Sequence, residues 1–246
     1  MIIGASRVKN EARWIDRMIR SIQPLCDQII ILDDYSSDDT VSIAEGMGCH
    51  VIHSPFATMD ESRDKNYLLD HIYSCLPDGE CELGDSSPHW AIMLDGDEAI
   101  VAADMELLKS RMAQTPMRAI SIQILYLWDD EQHIRTDGIY SRFYRPSIYR
   151  LISQRDRFRA TGHGPNLHCS SAPGACLSMV ERSAVRALHY GYLHREDRVR
   201  KFEFYNRIDP HNPLEDGYRH MVIGDIFPAN ARFRHGGPIQ LEEIAI

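Results

Sequence analysis

Over residues 1–94, short apolar runs alternate with amphipathic stretches, and only a few polar residues separate one from the next. No other feature limits the fold so strongly. Met1–Ala5 is an apolar run that opens a buried strand. Glu11–Ile22 sets Trp14, Ile15, Met18, Ile19 and Ile22 on one helical face. Gln28–Leu32 is a β-branched run, the pattern of a strand covered on both sides. A helix follows from about Thr40 to Gly46, then a strand over Cys49–His53, a helix over Glu61–Tyr73 and a strand over Trp90–Leu94. This order predicts an α/β fold with a parallel sheet, whose ligands bind beyond the carboxyl ends of its strands. Two acidic clusters, Asp33-Asp34 and Asp95-Gly96-Asp97-Glu98, directly follow predicted strands.

The rest of the chain is less regular. Pro77–Pro88 holds four acidic residues, two glycines and no basic one, and reads as an exposed insertion loop. A helix is expected over Asp104–Met112, a strand over Ala119–Trp128 and a helix over His194–Ile208. Ile139–Ile152 and Phe158–Leu167 read as strands or loops crossing the front of the sheet, and the tail from Pro228 as loop. With 246 residues, 43% hydrophobic and 26% charged, the chain fits one large domain better than two cores. A net charge of −9 argues against general capture of nucleic acid or anionic membrane. No run reaches the roughly 18–20 apolar residues of a membrane span, and MIIGASRVKNEARW lacks the pattern of a signal peptide. The six cysteines form no C-x-x-C pair, which reads as reduced thiols in a cytoplasmic protein.

Asp95-Gly96-Asp97 sets two carboxylates around one residue that lets a ligand approach closely. Hard oxygen donors of this kind suit Mg²⁺ or Mn²⁺ bridging a diphosphate; the plain alternative is a polar turn that closes a strand. In LDDYSSDDT a carboxylate can accept a hydrogen bond from a nucleobase NH, while Asp38 or Asp39 can cap the following helix. Arg195, Arg198, Arg200, Lys201 and Arg207 give the last helix a basic side. Most of these read as a solvated face, but Arg198 and Lys201 share a face one turn apart and are candidates to neutralise a diphosphate.

Together with Val8-Lys9-Asn10-Glu11, these elements carry a likeness. RVKNEARWIDRMIRSIQPLCDQIIILDDYSSDDT resembles the opening of family 2 glycosyltransferases, which have the GT-A fold. Glu61-Ser62-Arg63-Asp64-Lys65-Asn66 and LDGDE resemble later motifs of that family in the same order. The resemblance implies a mostly parallel Rossmann-like sheet with helices on both faces. It also implies a nucleotide-sugar-binding half over residues 1–99 and a divergent acceptor-side half over 100–246. Val8, Asn10 and Glu11 would border the base, Asp33 or Asp34 would hold its NH, and Arg63, Lys65 and Asn66 would lie near base and ribose. Lys65 stands where many members have a second arginine, so it keeps the charge without the planar fork. Asp95 and Asp97 would meet the metal, Mn²⁺ or Mg²⁺, and the diphosphate.

LHYGYLHREDRVRKFEFYN is similar to an H-Y-x-Y then E-D segment of bacterial members, which makes His189 a candidate third metal ligand. Related members often carry a His-Glu pair about twenty residues earlier. Here Leu167-His168-Cys169 stands at that place and the glutamate is missing. Glu196, Asp197, His163 and His168 are the candidates for the base. The implied function is an inverting, metal-dependent transfer of sugar from a nucleotide-diphosphate donor, UDP by preference, to a hydroxyl of a saccharide or small-molecule acceptor. The rivals are a nucleotide-sugar binding protein without catalysis, a sugar-nucleotide nucleotidyltransferase, and a zinc protein using His163, His168, Cys169 and Cys176. In this reading Asp97→Ala removes a metal ligand and leaves the fold intact.

Overall fold

A computed structural model describes residues 1–77, 83–161, 167–209 and 216–244. The parallel part is built from β1 (Ile2–Val8), β2 (Gln28–Asp33), β3 (His50–His53) and β4 (Trp90–Met93), side by side in the order β4-β1-β2-β3. Alternate residues of these strands feed two separate cores. Ile29, Ile31, Trp90 and Ile92 face α1 (Ile15–Ile22) and α2 (Thr40–Gly46), while Ile3, Ala5, Ile30, Leu32, Ala91 and Met93 face α3 (Glu61–Ser74). Side chains on a strand point alternately to opposite faces, so an uninterrupted run such as Gln28–Leu32 buries both. Helices therefore cover both faces of the sheet.

Local chemistry sets the helix ends. The stripe Ile15, Met18, Ile19 and Ile22 is fully buried, yet α1 starts at Ile15 rather than at Glu11. Asn10 has a positive φ of 56°, and the next two backbone N–H groups bond outside the helix, Glu11 to Thr40 Oγ1 and Ala12 to Asp38 Oδ2. Asp60 caps α3 by accepting from the Arg63 N–H at 3.0 Å. Gly48, at φ +82°, follows α2 and lets the chain turn directly into β3.

The second half extends the same sheet. β6 (Ala119–Trp128), β7 (Asp130–Arg135), β8 (Phe143–Arg150) and β10 (Leu241–Glu243) continue it antiparallel in the order β10-β7-β6-β8-β4, with α4 (Met105–Gln114) joining the first core. β9 (Val180–His189) runs parallel to β6 and carries the short β5 (Glu98–Ile100) antiparallel on its other edge. α5 (Arg195–Ile208) follows. The tail from Pro228 was expected to be loop, but β10 gives it an edge strand on β7. Of the expected insertion loop Pro77–Pro88, residues 78–82 lie outside the described residues. Its later part is docked rather than free: Leu83 and Gly84 donate to the Ile152 carbonyl and Ser87 is buried. Phe158–Leu167 carries no named strand among the described residues, only a bridge from Ala160 to Cys169.

Candidate active site

Asp95 and Asp97 lie just past the carboxyl end of β4, where the parallel part of the sheet presents its loops. The β5–β9 ladder brings the distant His189 to them. Glu98 pairs with His189 in register, and Tyr190 N–H donates to the Asp97 carbonyl at 2.8 Å. Lys201, from α5, places its ammonium 2.6 Å from Asp97 Oδ2, and His189 Nε2 lies 3.8 Å from the same oxygen. Arg145, from β8, holds Asp95 Oδ2 at 2.8 Å and also bonds Glu98. Two glycines make the approach possible. A Cβ on Gly191 would fall 2.0 Å from Asp97 Oδ2 and 2.3 Å from Lys201 Nζ, and one on Gly96 would fall 2.9 Å from Glu11 Cγ and 3.0 Å from Val8 Cγ1.

The cluster is dense in charge. Burial works to raise Asp95, but Arg145 and Lys65 beside it pull its carboxyl below the ordinary value. Burial also opposes ionisation of Asp97, and His189 and Lys201 outweigh it, leaving that carboxyl low. Glu11 and Glu98 receive less help: burial and the neighbouring aspartates push them up to about 8 and about 7. Burial drives the His189 imidazole down to about 4, so the ring is neutral at pH 7.

A buried carboxylate and a neutral imidazole, with a cation already lodged on the carboxylate, match the donor chemistry of Mn²⁺ or Mg²⁺. Asp97 and His189 fit that role, with Lys201 holding Asp97 Oδ2 in this structure. Asp95 stands beside them with Oδ2 on Arg145 at 2.8 Å and its side chain half exposed. Gly191 N–H donates to His189 Nδ1 at 3.1 Å. That contact leaves the neutral ring's proton on Nε2, so ligation through Nε2 requires it to break. Among the described residues no three His, Cys, Asp or Glu side chains are grouped as a metal site. The zinc alternative fares no better: His168 lies against Tyr218, and Cys176 Sγ bonds the Arg150 carbonyl. His163 lies outside the described residues.

On the nucleotide side the expected residues divide. Val8 and Glu11 pack directly against Gly96 and so border the acidic loop. Asp33 accepts from Ser36 N–H at 3.1 Å with His53 at 3.4 Å, while Asp34 is tied to Arg7 at 2.7 Å. Lys65 pairs with Glu61 at 2.7 Å and faces Asp95. Asn10 is a loop staple: its Oδ1 accepts from Ser37 N–H at 2.7 Å and its N–H donates to Ser36 Oγ. Asn66 is not directed at a ribose. Its amide clamps the Phe158 backbone with bonds of 2.8 and 3.0 Å. Arg63 stacks on Phe56 at 3.9 Å and bonds Asp64.

The helix α5 corrects three expectations. Arg198 is 2% exposed and binds Asp225, Asp129 and the Tyr192 and Leu193 carbonyls, so it braces the fold and takes no part in the cluster around Asp97. Breaking this buried pair leaves Asp225 only the longer, exposed contact to Arg195 at 3.9 Å, and Arg198→Met is expected to lower unfolding free energy by about 3 kcal/mol. The denaturation midpoint checks this; an unchanged midpoint contradicts it. Asp197 is buried against Arg13 at 3.2 Å and Arg200 at 3.0 Å, and Glu196 is exposed beside Arg13 at 3.7 Å. Both carboxylates anchor the helix start instead of facing the cluster. Asp97→Ala is not a neutral truncation either, because Asp97 is buried and holds Lys201.

His168 lies elsewhere, on the wall of a cavity of about 230 Å³ that Tyr192, Tyr205, Tyr218 and His220 also line. Tyr218 OH donates to Asp209 at 3.1 Å and lies 3.4 Å from His168 Nε2. Tyr192 connects this cavity to the acidic cluster, its ring stacked 4.8 Å from His189 and 5.2 Å from Lys201 Nζ. Burial, with His235 and Arg135 nearby, pushes His220 down to about 4. Between pH 6.5 and 4 the unfolded chain therefore binds a proton that folded His220 refuses, and stability falls as pH is lowered. His220→Gln should lose about 2 kcal/mol less than the parent between pH 7 and pH 5. Equal losses in urea melts at the two pH values would contradict this.

Sequence reading missed Arg145, Gly191, Tyr192, Tyr205, Asp209 and Tyr218 as site residues, and placed Glu98 in the acidic cluster without a role. Only the charge and spacing of LHYGYLHRED pointed toward any of them. The sheet, the helices on both its faces and the acidic loop beyond β4 make this a GT-A glycosyltransferase fold. Residues 7–172, more than half of the chain, match the family described as glycosyl transferase family 2. The chain belongs to that family and is a glycosyltransferase. An uncharacterized glycosyltransferase of Rickettsia felis is 25% identical over 212 residues, covering 85% of this chain and 69% of that protein. One from Rickettsia typhi is 27% identical over 215 residues, covering 85% and 66%. Among solved structures, TarS of S. aureus has 14% identity and a TM-score of 0.46 over 89% of this chain and 69% of that chain. Glucosyl-3-phosphoglycerate synthase of Mycobacterium tuberculosis, in complex with Mn²⁺, UDP and glucosyl-3-phosphoglycerate, has 18% identity and a TM-score of 0.36 over 51% and 44%. The chain thus spans about two thirds of the rickettsial relatives and less than half of the mycobacterial synthase. None of its described helices is long and apolar enough to cross a membrane.

Proposed function

We propose that the chain transfers a sugar from a nucleoside diphosphate, UDP by preference, to an acceptor hydroxyl with inversion at the anomeric carbon. Residues 1–99 take most of the donor, with His189 and Lys201 completing its diphosphate end, and the rest of residues 100–246 takes the acceptor. The observation that carries this reading is the grouping of Asp97, Lys201 and His189 beyond the strand ends. It joins a carboxylate, a cation and a neutral imidazole, the set a diphosphate leaving group needs. A divalent ion held by Asp97 and His189 would neutralise charge on the departing diphosphate.

The chain's own residues do the rest. Lys201 moves from Asp97 onto the diphosphate, and Lys65 and Arg145 keep Asp95 ionised and fixed. Val8, Glu11 and the Asp33-Asp34 pair frame the base. The acceptor oxygen forms its bond to the anomeric carbon on the face opposite the diphosphate, as the bond to the diphosphate oxygen breaks. His168 receives the hydroxyl proton. Because Tyr218 OH donates to Asp209, it accepts from His168 Nε2–H and leaves Nδ1 as the basic nitrogen. Cys169 cannot serve, since burial pushes its thiol up to about 12. A thermal-shift panel of UDP, GDP, CDP and dTDP with Mn²⁺ tests the donor. UDP is expected to raise the melting temperature most; a larger rise with another nucleotide overturns the choice of base, and no rise with any overturns the donor site.

A further inference from the structure

We propose that the cavity between His168 and His220 binds one neutral, hydroxyl-bearing ring or polyol, and that this is the acceptor. The inference rests on the transferase reading above and adds the acceptor's chemical class. Three observations carry it. First, the described lining holds no Lys, Arg, Asp or Glu side chain. A carboxylate or phosphate placed there would lose its water without gaining a counter-charge, and the buried Asp209 behind Tyr218 would repel it.

Second, two histidines with unpaired ring nitrogens belong to the wall. His220 Nδ1 and His235 Nε2 are buried without a partner, on rings 5.6 Å apart, and His220 is only 7% exposed. A neutral imidazole offers one donor and one acceptor, and a hydroxyl can answer either. Third, Tyr192, Tyr205 and Tyr218 line the space with aromatic rings, Tyr205 and Tyr218 stacked on each other at 4.8 Å, an apolar wall suited to the C–H side of a sugar. At about 230 Å³ the space is below the roughly 300–1,000 Å³ of drug-sized ligand sites, room for one small ring. Tyr192 is the shared wall with the Asp97 cluster, which sets such a ring beside the donor site.

The test is ligand-observed NMR on the full chain with UDP and Mg²⁺. The neutral probes are methyl glucoside, methyl galactoside and ribitol; the charged ones are glucuronate, glucose 6-phosphate and 3-phosphoglycerate. At least one neutral probe is expected to bind at least about tenfold more tightly than every charged one. Tyr205→Ala and His168→Ala should each weaken that binding by about tenfold or more, with UDP affinity measured in parallel. His168 is exposed, so its truncation keeps the test open if Tyr205→Ala fails to fold. Preference for a charged probe, binding indifferent to His168→Ala, or no neutral binding while UDP binds would each overturn the assignment. Neutral binding lost in the variants, in a protein that ignores UDP, would uphold the cavity and defeat the donor reading instead.

Discussion

Asp97→Asn should cost the transfer reaction about 10²–10³ in kcat, the scale of losing a principal electrostatic stabiliser. The substitution keeps the side chain's shape but removes the charge that both Lys201 and a divalent ion require. Asp95→Asn should cost less, because Arg145 already shares the Asp95 charge. Steady-state kinetics of both variants, with circular dichroism to confirm folding, give the comparison. Equal losses would show that Asp95 turns toward the ligand in the working enzyme.

His168→Ala should lower transfer by about 10²–10⁴ while UDP still binds, the usual range for a lost general base. Glu196→Gln and Asp197→Asn should keep rates close to the parent, since the first carboxylate is solvent-exposed and the second is spent on Arg13 and Arg200. Tyr218→Phe separates a base from a mere wall residue. It removes the hydroxyl that fixes the His168 tautomer and should lower kcat more than it raises the acceptor KM. If Asp197→Asn collapses the rate and His168→Ala does not, the base lies on α5.

The parallel half was legible because its pattern is local. A β-branched run such as Gln28–Leu32 and a stripe such as Ile15, Met18, Ile19 and Ile22 report their own burial, and the acidic clusters announce themselves by following such runs. The site was only half legible, because its assembly is not local. Glu98 meets His189 through the β5–β9 ladder, and β5 is too short and β9 too rich in charge, with Glu181, Arg182 and Arg186, to read as buried strands. Lys201 and Arg198 looked alike in sequence, one helical turn apart. Tertiary partners separated them: Asp97 took one, and Asp129 with Asp225 took the other. Asn66 and Asn10 carried the family's pattern, yet backbone groups of neighbouring loops claimed their amides.

The central claim is that Asp97 and Lys201 form the diphosphate end of a nucleotide-sugar site. Titration calorimetry of UDP tests it most directly, with Mn²⁺ and then with a chelator, on the parent, Asp97→Asn and Lys201→Met. The account predicts that UDP binds the parent more tightly with Mn²⁺ than with chelator. Asp97→Asn should abolish that difference, and Lys201→Met should weaken binding by about tenfold or more under both conditions, as loss of a charge-assisted contact to phosphate would. UDP affinity that is the same in all three proteins, with or without metal, would contradict it.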